Sequence, residues 1–236
     1  MQHPSLTLTS LLAADGPSAP SFSSIFFWSS SASGGIDWIG SGLIWFLIAL
    51  SVVNVWLIGR FWIAERSDDI APASALEHVR SLVLAERYRE AIDATRNGQS
   101  DVSRMLFAAF DAAPGGDDAM VAAFFAAADD ARTTRIRSLE RLNVLGQISP
   151  MIGLFGTVYG MIVAFQTIAA SGGAADPVLL AGGIGTALVT TFWGLFIAIP
   201  ALAAYAALRA RTEKSLDDAE RGAESILALF RAKHRG

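Results

Sequence analysis

The sequence predicts an all-α membrane protein with three transmembrane helices and long helices extending into the cytoplasm. Three observations predict it. Residues 38–59, 142–170 and 177–208 contain no Asp, Glu, His, Lys or Arg. A helix needs about 20 apolar residues to cross a bilayer core, and each run is long enough. Charged residues make up 17% of the chain, against about 25% in soluble domains, and the mean hydropathy is +0.43. Finally, the segments between and after these runs carry helical rather than alternating periodicity.

The placement of the 18 lysines and arginines sets the direction of each span. Eleven lie within residues 60–141 and seven within 209–235, with none before residue 60 and none in the short link 171–176. The positive-inside rule puts the arginine-rich segments in the cytoplasm. The expected organisation is a periplasmic amino-terminal segment (1–37), transmembrane helix 1 (38–60), a cytoplasmic helical domain (61–141), transmembrane helix 2 (142–170), a short periplasmic link (171–177), transmembrane helix 3 (178–208) and a cytoplasmic carboxy-terminal helix (209–236). The first span carries Trp38, Trp45 and Trp56, and Trp62 follows it, as in the aromatic belts at membrane interfaces. Residues 1–5 lack the positive n-region of a signal peptide. Residues 22–28 are open to two readings, a short amphipathic helix on the outer membrane surface or an unstructured Ser-rich leader.

In the cytoplasmic domain, Ser74 and Glu77 form a capping-box pattern just after Pro72, and Gly98 is a plausible stop, so one helix is expected between them. Asp101 is the expected cap of a second helix, closed by Pro114, Gly115 and Gly116. Asp117 and Asp118 open a third. Nothing breaks it before residue 142, so it should run on into the second span as one helix of about 50 residues, about 75 Å long. Arg132, Arg135, Arg137 and Arg141 are expected to anchor this helix among the headgroups. In the tail, Leu216, Ala219, Ala223, Ile226 and Phe230 repeat at 3-4-3-4 spacing. That seam should pack against the cytoplasmic helices or against copies of itself.

Small residues mark the second and third spans. Pro150, Gly153, Thr157, Gly160 and Ala164 recur at steps of three and four, and Gly156 and Gly160 form a GxxxG pair. Gly183, Ala187, Gly194, Ala198 and Ala201 do the same in the third span. This spacing lets helix backbones approach closely. Pro150 and Pro200 each remove a backbone donor inside a span, which points to helices buried in protein. Four threonines lie deep in these helices: Thr157, Thr186, Thr190 and Thr191. They are candidates for an ion pathway, although a threonine can also bond back to its own helix. Asn54, in the first span, reads as an interhelical hydrogen bonder.

The composition narrows the function classes. With no cysteine and with His3, His78 and His234 scattered, no metal cluster is expected. The net charge of −4 gives no basic field for nucleic acid. No nucleophile–base pair or phosphate loop suggests an enzyme, and no cofactor is implied.

Residues 149–160 (SPMIGLFGTVYG) and 184–200 (IGTALVTTFWGLFIAIP), followed by Tyr205, resemble the second- and third-span motifs of the ExbB/TolQ/MotA proton-channel family. The likeness is specific over residues 139–211 and weaker elsewhere. Three spans are closest to the ExbB/TolQ branch. The resemblance implies a ring in the bacterial inner membrane, usually of five copies, around ExbD/TolR-like single-span partners that carry a membrane aspartate. Ion flow would drive the partner and energise periplasmic or outer-membrane work of TonB or Tol type. It also implies that Thr157 and Thr191 line the channel. One position departs from the pattern: Thr186 stands where ExbB and TolQ proteins typically have a glutamate. Proton and sodium both remain compatible with a hydroxyl-lined path. The alternative is a non-conducting membrane scaffold that gathers cytoplasmic partners.

Overall fold

The computed structural model describes residue 27 and residues 37–64, 70, 72–174 and 177–234. Among them all regular structure is helical, as expected. The helices are α1 (Trp38–Ala64), α2 (Ala73–Leu84), α3 (Tyr88–Arg96), α4 (Asp101–Asp111), α5 (Asp117–Ala170) and α6 (Pro177–His234), with a 3-10 turn at Ala113–Gly115. Three helices are long and apolar enough to cross a membrane. Most of the amino-terminal leader, the stretch 65–69, the link residues 175–176 and His3 lie outside the described residues.

The chain divides into two compact units, Met1–Ile48 with Ile152–Trp193, and Ala49–Met151 with Gly194–Gly236. The first unit holds the start of α1, the end of α5 and the start of α6. Phe27 is helical and its ring centroid lies 6.3 Å from that of Trp45. Asp37 caps α1, its carboxylate accepting from the Ile39 N–H at 3.1 Å. The α5 helix ends where Gly172 and Gly173 take φ of 62° and 94°, a left-handed turn that glycine adopts without a Cβ clash. The Gly173 N–H donates back to Ile168 O across it at 3.2 Å.

The second unit contains the main apolar core. Leu82, Val83, Met105, Leu106, Phe110 and Phe124 from α2, α4 and α5 meet Leu216, Ala219, Ala223, Ile226 and Phe230 from α6. The Phe230 ring lies 4.8 Å from Phe110 and 5.1 Å from Tyr88, centroid to centroid. The tail seam thus packs against α2, α4 and the start of α5, one of the two expected outcomes. A smaller layer joins Phe61 of α1, Leu139 and Leu142 of α5 and Leu208 of α6.

The helix expected between Ser74 and Gly98 is two helices. The chain turns at residues 85–87, where Glu86 takes φ of 60°. The capping box is not formed either: α2 begins at Ala73, with Pro72 before it and no side-chain cap. The cap of α4 is Ser100, whose hydroxyl accepts from the Ser103 N–H at 3.2 Å, not Asp101. Asp101 is the first helical residue and its side chain is fully buried. It pairs with Arg104 and takes a hydrogen bond from Arg135 Nε at 2.9 Å. The continuous helix expected through the second apolar run is α5, 54 residues long.

Candidate functional site

In the first unit, α5 and α6 meet along a seam of small residues. Gly153, Gly156, Gly160 and Ala164 are buried on α5, opposite Gly183, Ala187 and Thr190 on α6. A Cβ at Gly160 would lie 2.5 Å from Gly183 O and 2.8 Å from Ala187 N, so the backbones themselves are in contact. At Gly156 a Cβ would lie 2.4 Å from that of Thr190. Glycine is needed at both positions because no side chain can yield. In this structure the small residues Gly156 and Gly160 lie where the two helices touch.

The four candidate threonines separate into two kinds. Thr186 and Thr190 are buried inside the seam. Thr186 donates to Gly182 O at 3.1 Å, and Thr190 to Thr186 O and Ala187 O at 3.0 Å each. Both bond back to their own helix, the local alternative to lining a path. Thr157 and Thr191 are half-buried at the edge of the seam. Thr157 donates to Leu154 O at 2.6 Å, while Thr191 reaches across to Gly153 O at 3.4 Å, one turn before Thr157 on α5. Each hydroxyl oxygen retains lone pairs that can accept from water or coordinate a cation.

Sequence reading missed a contact near these threonines. The Tyr159 hydroxyl donates to the Asp37 carboxylate at 2.8 Å, linking α5 to the head of α1. A tyrosine in an apolar run is the signal for such a bond, because its hydroxyl needs a partner when half-buried.

In the second unit the remaining small residues do similar work. Gly194 and Ala198 are buried, while Pro150 is half-buried and Pro200 exposed. A Cβ at Gly146 would lie 2.6 Å from Leu202 Cγ. Asn54 bonds between helices as expected, its Nδ2 donating to Ile197 O at 3.0 Å. A polar group also joins α5 and α6. Gln147 Nε2 donates to Asn143 Oδ1 at 2.8 Å, and Asn143 Nδ2 to Glu140 Oε1 at 2.5 Å. From α6 the Tyr205 hydroxyl donates to Glu140 Oε2 at 3.2 Å, and Arg209 Nη1 donates to the Tyr205 oxygen at 3.1 Å. Arg209 also donates to Glu213 at 2.9 Å, and these bonds, Glu213's first, raise its pKa above the ordinary arginine value.

Two of the expected headgroup anchors act instead inside the helical bundle. Arg132 donates to Asp217 at 2.7 Å and Glu220 at 3.2 Å on α6, and Arg135 holds Asp101. The Asp217 hydrogen bond, above all, raises the Arg132 pKa further. Arg137 and Arg141 are exposed. Among the described residues no group of His, Cys, Asp and Glu is arranged to hold a metal ion.

Known proteins resemble this chain in sequence. The chain is 49% identical over 65 residues to the biopolymer transport protein exbB1 of Vibrio cholerae, covering 28% of each chain. It is 38% identical over 96 residues to the Tol-Pal system protein TolQ of Pseudomonas aeruginosa, covering 41% of each. It is 39% identical over 104 residues to TolQ of Haemophilus influenzae, covering 42% of this chain and 44% of that one. The chain thus spans less than half the length of each of these curated relatives. The sequence model of the MotA/TolQ/ExbB proton channel family matches residues 97–221, more than half of the chain and all of the α5/α6 seam. This membrane protein belongs to the MotA/TolQ/ExbB proton channel family.

Proposed function

We propose that this chain is the ring-forming inner-membrane subunit of a motor driven by the proton-motive force. It works with an ExbD/TolR-like partner carrying an aspartate in its single span, and energises periplasmic or outer-membrane work of TonB or Tol type. Its amino terminus and the link 171–177 face the periplasm, and the 61–141 and 209–236 segments face the cytoplasm. Family membership supports this class of work, as do the relatives named for biopolymer transport and for the Tol-Pal system. The outward faces of α5 and α6, with Leu154, Phe155, Leu188 and Ile199 exposed, suit contact with lipid and with further copies of the chain.

The observation that carries the ion-pathway reading is the placement of Thr157 and Thr191. They are the half-buried pair at the edge of a seam whose interior is otherwise closed. A partner carboxylate entering a low-dielectric ring prefers to be neutral. Hydroxyl oxygens at this edge would steady the water or cation that accompanies it. Thr186 and Thr190 stand behind them and hold α6 in register. The family glutamate is replaced by Thr186, so the partner's aspartate is the ion-carrying carboxylate.

Thr157→Val removes the hydroxyl and keeps the shape. Proton flux through the assembled complex in vesicles should fall roughly tenfold, equivalent to about 1.4 kcal/mol and in the range of one lost hydrogen bond. Unchanged flux in an assembled mutant ring would count against the pathway. Native mass spectrometry of complexes from the source membrane tests the assembly. A ring holding a small single-span protein supports the motor, whereas an empty ring bound to soluble proteins supports a non-conducting scaffold.

A further inference from the structure

We propose that Glu140 is the group that exchanges protons with the cytoplasm at the mouth of the ion path. The assignment rests on the motor reading above and goes beyond it, naming the residue that releases the proton. No carboxylate lies within the three apolar runs, and Glu140 stands two residues before the second of them. It is half-buried, flanked in sequence by Leu139 and Leu142, both fully buried. Those two leucines pack with Phe61 and Leu208 into an apolar layer that closes the interior of the three-helix contact. A proton cannot pass through that layer, because nothing in it accepts one. Tyr205 packs against that layer and carries a polar chain past it.

Glu140 sits at the centre of a chain of five side chains. It runs from the exposed Gln147 through Asn143 to the carboxylate, then through the Tyr205 hydroxyl to the exposed Arg209. Of these five, the carboxylate is the one ionised oxygen acid: the carboxamides do not ionise and a guanidinium keeps its proton. A bracket that merely joined α5 to α6 would need only the Tyr205–Glu140 bond. The two carboxamides extend the chain one further turn each along α5 into its charge-free run, where a plain bracket has no use for them.

The step balances without any further reagent. A hydronium arriving along water gives its proton to a Glu140 oxygen, leaving water and a neutral acid. The acid then gives the proton to bulk water and returns to carboxylate. Tyr205 donates to one carboxylate oxygen, and Arg209 donates to Tyr205 behind it. In sequence, Arg137 and Arg141 flank Glu140 on α5, and on α6 the chain continues from Tyr205 to Arg209 and Glu213. From α1, the neighbours in the adjoining layer are Leu57, Ile58 and Phe61.

The test uses the full complex purified from its own membrane, with native mass spectrometry for assembly and proton flux into vesicles read by a trapped pH dye under an imposed potential. E140Q should assemble normally and lose flux tenfold or more, and E140D should recover it to within threefold of the parent. Parental flux in an assembled E140Q complex would overturn the assignment and leave the motor reading standing. A parent complex that passes no protons would overturn both. If E140Q fails to assemble, Y205F decides. It keeps the carboxylate but cuts the chain between Glu140 and Arg209, so flux should fall at least threefold. Parental flux in an assembled Y205F complex would overturn the proposal.

Discussion

Gly160 has no room for a methyl group. The atoms that a Cβ would meet are the carbonyl oxygen of Gly183 and the amide nitrogen of Ala187, and neither can step aside. Gly160→Ala should therefore force α5 and α6 apart, at about 1–3 kcal/mol. Thermal unfolding of the detergent-solubilised protein should show it as a clear drop in Tm. Gly185→Ala is the matched control. Nothing lies within 4 Å of its Cβ position, and alanine favours helix over glycine by about 1 kcal/mol, so its Tm should hold or rise. The small-residue pattern of this seam was legible in the sequence, because the 3-4 spacing is a local property of the helix. The direction of each hydroxyl was not. Thr186 and Thr191 are five residues apart, yet one bonds its own helix and the other its neighbour. That choice depends on the rotation of α6 against α5, which no local pattern encodes. The same holds for Ser100 and Asp101. Both are good caps, and the choice between them is bound up with Arg135, 34 residues further on, whose guanidinium holds the aspartate.

Among the elements, the break between α2 and α3 is the least expected. It contains neither glycine nor proline, and the turn depends on Glu86 at φ of 60°. A left-handed conformation costs a non-glycine residue about 1–2 kcal/mol. Glu86→Gly should relieve that strain and offset its own greater unfolded-state freedom, for a net gain of up to about 1 kcal/mol. A higher Tm, with helix content unchanged by circular dichroism, is the expected result. The apolar stripe of this region looked continuous because burial on both sides of the turn keeps helical spacing. Leu82 and Val83 lie before it and Ala91 after it, all in one core. The long helices were easier to read. From Asp117 to Ala170 the chain has one interior proline and no other strong breaker, and α5 continues through Pro150.

For the whole molecule, the proposed orientation makes a prediction that the composition renders simple to test. The natural chain has no cysteine, so any introduced one is unique. Ser171 lies in the turn between α5 and α6, and Ser225 on the tail helix; both are exposed. Ser171→Cys should react with a membrane-impermeant maleimide in intact spheroplasts. Ser225→Cys should react only after the membrane is opened, and the reverse pattern would invert the topology. The existence of three spans was legible because charge is excluded from them. The polar chain through Glu140 was not, because it is assembled from residues 140 and 205, each unremarkable alone.

The Asn54 hydrogen bond bears on a freedom that hydrophobicity cannot remove. The rest of α1 is apolar on nearly every side, with Val52, Val53, Val55 and Trp56 all exposed, so lipid offers it no preferred azimuth. Asn54 is the one carboxamide in the helix; its Nδ2 is committed to Ile197 O, and its Oδ1 is buried with no partner in the structure. Rotating the helix about its axis would strand both ends of that amide in hydrocarbon. Asn54 thus acts as a key in a keyway: with leucine in its place α1 would still insert, its rotation left to the packing of Phe61 and the bond from Tyr159 to Asp37.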